Sequence, residues 1–259
     1  MVISIATLGS ASAATIVNGD FDDESNWIIR NGSADSTNEL SVGQWVAVSP
    51  AFGVRFDTAD ANGNDLDLAQ ITVTNTATNV ARSLYQLVEL GPSEAGDFSL
   101  NYDINYAQSS TPQTGRRWNV AVYGIEDTGT AGFSITAFTN VMPFGQNSNI
   151  PVVSDADISV LAFDEPDFVS GQPQPATNGF VSESVDFTIG ASEYDYLLVR
   201  LAGRLVNNPA NNDTELVQFD NISITSPTAI PEPSMLVALS AFTTLALMPR
   251  RRRTSNCRG

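Results

Sequence analysis

The stretch from Phe98 to Tyr106 constrains the fold most. Phe98, Leu100, Tyr102, Ile104 and Tyr106 fall on one side of an extended chain, and Asp97, Ser99, Asn101, Asp103 and Asn105 fall on the other. A period of two held over that length fits a strand with one face buried and one face in water, as antiparallel sheets allow. Val181, Val185, Phe187 and Ile189 alternate with Ser182, Ser184, Asp186 and Thr188 in the same way, as do Ile71 and Val73 with Thr72 and Thr74. The runs from Leu84 to Leu90, Trp118 to Ile125 and Tyr194 to Leu201 are apolar on both faces. They predict central strands of a two-sheet antiparallel sandwich. Turn-forming clusters at 60–65, 91–93, 111–115 and 207–212 separate these runs. The segment 140–179 holds five prolines and reads as a loop-rich insertion with one strand over 158–163. The fold class expected is all-β.

Charge excludes several functions. The chain has no histidine and no lysine, and its 12 basic residues are all arginine. Five of those 12 lie in the last ten residues, and one of the 29 acids, Glu232, lies beyond residue 229. Residues 15–229 therefore carry 7 positive and 28 negative groups. Such a field repels phosphate backbones, so no nucleic-acid partner is expected, and it attracts cations. Without histidine there is no Ser-His or Cys-His catalysis. The only cysteine, Cys257, leaves no disulfide framework.

The two ends read as addresses. Residues 1–14 are a short apolar run ending in Ala11-Ser12-Ala13-Ala14, a small-residue cleavage pattern, and are expected to be a signal peptide truncated at its start. At the other end, Pro231-Glu232-Pro233-Ser234 precedes an apolar run over 235–248, and Arg250, Arg251, Arg252 and Arg253 follow. A short apolar helix there spans about 22 Å at roughly 1.5 Å per residue. A bilayer core is about 30 Å thick, so the helix enters a membrane but spans it poorly. This order resembles the PEP-CTERM sorting signal of Gram-negative bacteria, over residues 227–259. The resemblance implies an exosortase-type processing protease as partner, transient inner-membrane contact through the helix, and export to the cell surface or extracellular matrix.

The domain between opens with Val17-Asn18-Gly19-Asp20-Phe21 and closes with Val217-Gln218-Phe219-Asp220-Asn221-Ile222-Ser223-Ile224. With Leu84 to Leu90 and Gly96 to Tyr102 between them, the order resembles galactose-binding-like carbohydrate-binding modules. The resemblance implies a jelly roll over 15–226 and a polysaccharide ligand. Two departures stand out: Asp22 replaces the usual Glu, and the middle is longer. Phe219 and the pair Ile222 and Ile224 differ in parity, which predicts a bulge near Asp220. That bulge and the first segment would gather Asp20, Asp22 and Asp220 at one edge. Carboxylates so placed need either a cation or solvent. The resemblance implies structural calcium at this position.

Aromatic faces stack on sugar rings, and amides or guanidinium groups meet the hydroxyls. The expected ligand-binding residues are Tyr85, Gln86, Tyr102, Trp118 and Tyr123. Trp118 and Tyr123 differ in parity and so face opposite sides of their strand. Gln86 is either a buried, bonded amide or the floor of a site. Arg116 and Arg117 either contribute to binding or balance Glu126 and Asp127. The E-x-D-x-x-E signature of jelly-roll glucanases is missing, because Leu198 stands where Glu193-Tyr194-Asp195 would need a third acid. A non-catalytic protein is expected, with a ligand-free structural matrix protein as the alternative. Aromatics exposed on a concave face would favour binding, and a closed face would favour structure.

Overall fold

A computed structural model describes residues 14–23, 27–31, 41–49, 54–55, 67–72, 80–91, 94–108, 117–127, 156–165, 167, 169–191, 193–205, 207–208 and 213–226. The expectations for residues 1–13 and 227–259 lie outside this set.

The described residues form two large sheets, a two-stranded ribbon and no helix. The six-stranded sheet runs β1 (Trp27–Asn31), β2 (Trp45–Ser49), β5 (Val80–Glu89), β10 (Tyr196–Leu205), β7 (Trp118–Asp127) and β8 (Ala156–Asp164). The five-stranded sheet runs β3 (Val54–Arg55), β4 (Ala69–Thr72), β13 (Leu216–Thr225), β6 (Gly96–Ala107) and β9 (Val181–Ile189). A two-stranded ribbon joins β11 (Asn207–Asn208) to β12 (Asp213–Thr214). The chain changes sheet at β2 to β3, β4 to β5, β5 to β6, β6 to β7, β8 to β9 and β9 to β10, and again from β10 through the ribbon to β13. It is a jelly-roll sandwich of antiparallel strands, with one departure: β1 pairs with β2 in parallel.

The residues explain the layering. β6 buries Phe98, Leu100, Tyr102, Ile104 and Tyr106, as its alternation predicts. Facing them across the sandwich are Leu84 and Val88 of β5, Val120 and Val122 of β7, and Leu197, Val199 and Leu201 of β10. Each fully buried side chain of this size contributes about 1.5–3 kcal/mol. The three runs apolar on both faces are the central strands β5, β10 and β7. Their second face forms another apolar cluster, with Tyr85, Leu87, Ala121, Tyr123, Ile125 and Leu198, joined by Val46 of β2. The strand expected over 158–163 is part of β8.

The bulge near Asp220 is present, with the β13–β6 register shifting between Asp220 and Ser223. Asn221 absorbs the extra residue with φ +51°. Phe219 and Ile222 are thereby both buried, although a regular strand would turn them apart.

Arg117 differs from the expectation that it balances Glu126 and Asp127. It is buried at the mouth of β7, with its Nε 3.7 Å from Glu215 Oε1. Tyr106 Oη donates to the same oxygen at 3.4 Å. Gln174, also buried, accepts from the Arg117 and Trp118 amides at 2.8 and 3.1 Å. A guanidinium this deep needs a buried partner, and an acid immediately before a strand in the other sheet supplies one where exposed neighbours cannot.

Candidate functional site

The opening motif is a clasp between the two sheets. Gln86 on β5 receives the Val17 amide at Oε1 (2.9 Å) and donates from Nε2 to the Val17 carbonyl (2.7 Å). Gln86 is thus the bonded amide of its two expected roles. Trp45 Nε1 donates to the Asn18 carbonyl at 3.0 Å. The Gly19 carbonyl accepts the Ile222 amide of β13 at 2.8 Å. Asn18 ties itself to the Asp23 backbone twice, both bonds at 2.9 Å. Phe21 packs on Trp45 with ring centroids 5.3 Å apart. Asn18 and Phe21 hold φ of +51° and +60°, strain that this fixed set of contacts maintains.

The clasp brings the two ends of the domain together. Burial raises the Asp220 carboxyl above the usual carboxylate range, and Asp103, Asp20 and Asp22 raise it further. The Asn221 amide, 2.7 Å from Asp220 Oδ1, opposes the shift. Asp103 is occupied on both oxygens, by Ser182 Oγ at 2.6 Å and Asn221 Nδ2 at 2.8 Å. The donor chemistry suits calcium. Among the described residues no group of three acids lies close enough to hold a metal ion.

The other expected ligand residues divide between two faces. Tyr102 and Trp118 lie inside the sandwich, edge to face at 6.3 Å, and Tyr102 Oη donates to Asp164 Oδ2 at 2.6 Å. Tyr85 and Tyr123 share the outer face of the six-stranded sheet with Asn119 and Arg200. Arg200 Nη2 donates to Asn119 Oδ1 at 2.6 Å, and its guanidinium sits 5.8 Å from the Tyr123 ring centroid. Burial raises both phenols, opposed by the Arg200 charge. Aromatic, amide and guanidinium groups gather here as a saccharide site requires. Their exposures of 0–2% leave no open ring face.

Open polar ground lies on the five-stranded sheet. Asn101, Asp103, Ser182, Glu183, Ser184 and Asn221 line a shallow depression of about 390 Å³ beside Tyr102. The lining follows from cross-strand register, since Asn101 pairs with Ser184 and Asp103 with Ser182. Asn221 arrives from β13 because the bulge turns its side chain onto Asp103. Burial raises the Glu183 carboxyl, with Asp164 and Asp167 adding to it. Hydroxyl, amide and carboxylate groups converge here, the donor and acceptor set that meets a polyol. The sequence signal was the polar half of the alternation, Asn101 and Asp103 against Ser182 and Ser184.

No family model and no curated protein matches this sequence. Solved structures similar to it include the carbohydrate-binding module TmCBM61 in complex with β-1,4-galactotriose, at 11% identity and TM-score 0.35, covering 76% of this chain and 99% of that one. The N-terminal cellulose-binding domain of β-1,4-glucanase C from Cellulomonas fimi is similar at 10% identity and TM-score 0.33, covering 75% and 95%. A Stig cyclase, Fisc from Fischerella sp. TAU, is similar at 15% identity and TM-score 0.42, covering 84% and 98%.

Proposed function

We propose that this chain is an exported, non-catalytic carbohydrate-binding protein, and that the depression around Asp103 is its saccharide site. The observation that carries the reading is the convergence of Asn101, Asp103, Ser182, Ser184 and Asn221 on one open, mainly polar surface beside Tyr102. A sugar hydroxyl can donate to the carboxylate and accept from the amides, and every such exchange replaces water without burying an unpaired group. The strands β6, β9 and β13 carry Asp97, Asp103, Glu183, Asp186 and Asp220 and no basic residue, so the ligand is neutral or cationic.

The full chain on a glycan array is expected to retain at least one neutral or amine-bearing glycan. Asp103→Asn and Ser184→Ala should each weaken it about fivefold, because one hydrogen bond is worth about 1 kcal/mol. Binding that survives both changes would move the site, and an array with no retained glycan would overturn the reading. The closed outer face over Tyr85, Tyr123 and Arg200 favours the second reading, a structural matrix protein with no small ligand.

Sorting is the other half of the proposal. Pro231, Glu232, Pro233 and the cluster Arg250, Arg251, Arg252 and Arg253 direct processing by an exosortase-type protease after brief membrane contact. The support is their order and an apolar run over 235–248 that would, as a helix, be too short to span a bilayer comfortably. Mass spectrometry of surface protein should find the chain ending near residue 230. Intact 250–259 peptides on that mature protein would refute it.

A further inference from the structure

We propose that Asn178 is a site of spontaneous covalent modification, converting to aspartate and isoaspartate, while the sequence-identical pair at Asn18 is protected by the fold. Both asparagines precede a glycine, and both hold positive φ, +57° at Asn178 and +51° at Asn18. A glycine on the C-terminal side leaves its backbone nitrogen sterically open to attack the asparagine side chain. Local geometry decides whether the attack happens.

At residue 178 no described residue prevents it. Asn178 and Gly179 are exposed, and a Cβ on Gly179 would meet nothing within 4 Å. Among the described residues the Asn178 amide has no hydrogen-bond partner. Among the described residues the one tie on Gly179 runs from the Thr177 hydroxyl to the Gly179 carbonyl at 2.7 Å, and none accepts from the Gly179 N–H. Thr177 is anchored to β6 through the Tyr106 backbone, so the loop is fixed just before the reactive pair and free at it.

At residue 18 each requirement fails. The Asn18 side chain is held on both its oxygen and its nitrogen by Asp23. Gly19 is pinned by the Ile222 amide, and the Ile222 carbonyl oxygen lies 1.9 Å from where a Gly19 Cβ would stand. The peptide between Asn18 and Gly19 cannot rotate without breaking the clasp.

The chemistry at 178 balances without a co-reactant other than water. The Gly179 nitrogen loses its proton and bonds to Cγ of Asn178, and the Cγ–Nδ2 bond breaks to release ammonia. Water then opens the five-membered imide at either carbonyl. Opening at one gives aspartate, and opening at the other gives isoaspartate with an extra methylene in the backbone. Either product adds a negative charge just before β9.

The test is incubation of the full chain at pH 8.5, followed by arginine-specific digestion and mass spectrometry with fragmentation that separates the two isomers. Conversion at Asn178 should run at least tenfold faster than at Asn18, and Gly179→Ala should slow it at least tenfold. A second sample in denaturant should convert both sites at similar rates. Equal rates in the folded chain, or a silent Asn178 beside conversion in the denatured sample, would overturn the proposal.

Discussion

A single carboxyl shows how the closing motif is tuned. Burial and the neighbouring acids raise Asp220, so its proton binds more tightly in the folded chain than in the unfolded one. The stability tied to that proton is full below the unfolded value of 3.8 and is lost as pH rises through the raised folded value. At neutral pH the ionised group is therefore a cost. Asp220→Asn keeps the acceptor for the Asn221 amide and removes the charge. It should raise the melting temperature at pH 7 and lose its effect below pH 3.8, measured by thermal unfolding across pH. Gln86 works in the opposite sense. Gln86→Leu keeps the volume but strands the Val17 amide and carbonyl, at about 1–3 kcal/mol for each group, to be measured by urea unfolding. Parity in the sequence separated Trp118 from Tyr123. It could not show that the face carrying Tyr85 and Tyr123 is closed, because what lies over a sheet is set by distant parts of the chain.

The clasp formed by residues 14–23 joins elements that are far apart in sequence. Its weak point is Gly19, where a methyl group would collide with the Ile222 carbonyl 1.9 Å away. That neighbour is backbone in a central strand and cannot yield. Gly19→Ala should cost about 1–3 kcal/mol by overpacking and should separate the first segment from β13, read as faster hydrogen exchange at the Ile222 amide. The bulge was legible from the parity of Phe219 against Ile222, because a regular strand cannot bury both. The bonds from Trp45 and Gln86 to the Asn18 and Val17 backbone were not legible, since nothing local marks an indole or an amide as meant for a chain end. The same geometry bears on cations. Among the described residues no three acids gather closely enough to form a ready cation site. Calcium and magnesium at equal concentration are expected to shift the melting temperature alike, through screening. A larger calcium response that Asp220→Ala removes would instead establish a bound ion.

The molecule as a whole carries a formal charge of −17 and has a sequence pI near 4.1. The acidic excess lies in residues 15–229, with 7 positive and 28 negative groups, and like charges repel each other more in a folded domain than in the extended chain, so the folded state bears an electrostatic cost. The cost is concentrated on the five-stranded sheet, where Asp220 and Glu183 are both raised above their ordinary values by burial and by neighbouring acids. Raised acids contribute stability that is present at low pH and lost as pH rises, so the optimum should fall on the acidic side of neutral. Salt acts on the same term by a different route, since the screening length falls from about 30 Å at 0.01 M to about 8 Å at 0.15 M. Relief of about 1 kcal/mol over that range would raise the melting temperature of a domain this size by about 2–4 °C. The rise should be larger at pH 8 than at pH 5, where part of the charge is already protonated. Calorimetry at the four combinations of salt and pH separates the two effects. A melting temperature indifferent to salt at pH 8 would mean that the acids are solvated one by one, and that the hydrogen-bonded rows on β6, β9 and β13 already disperse their charge.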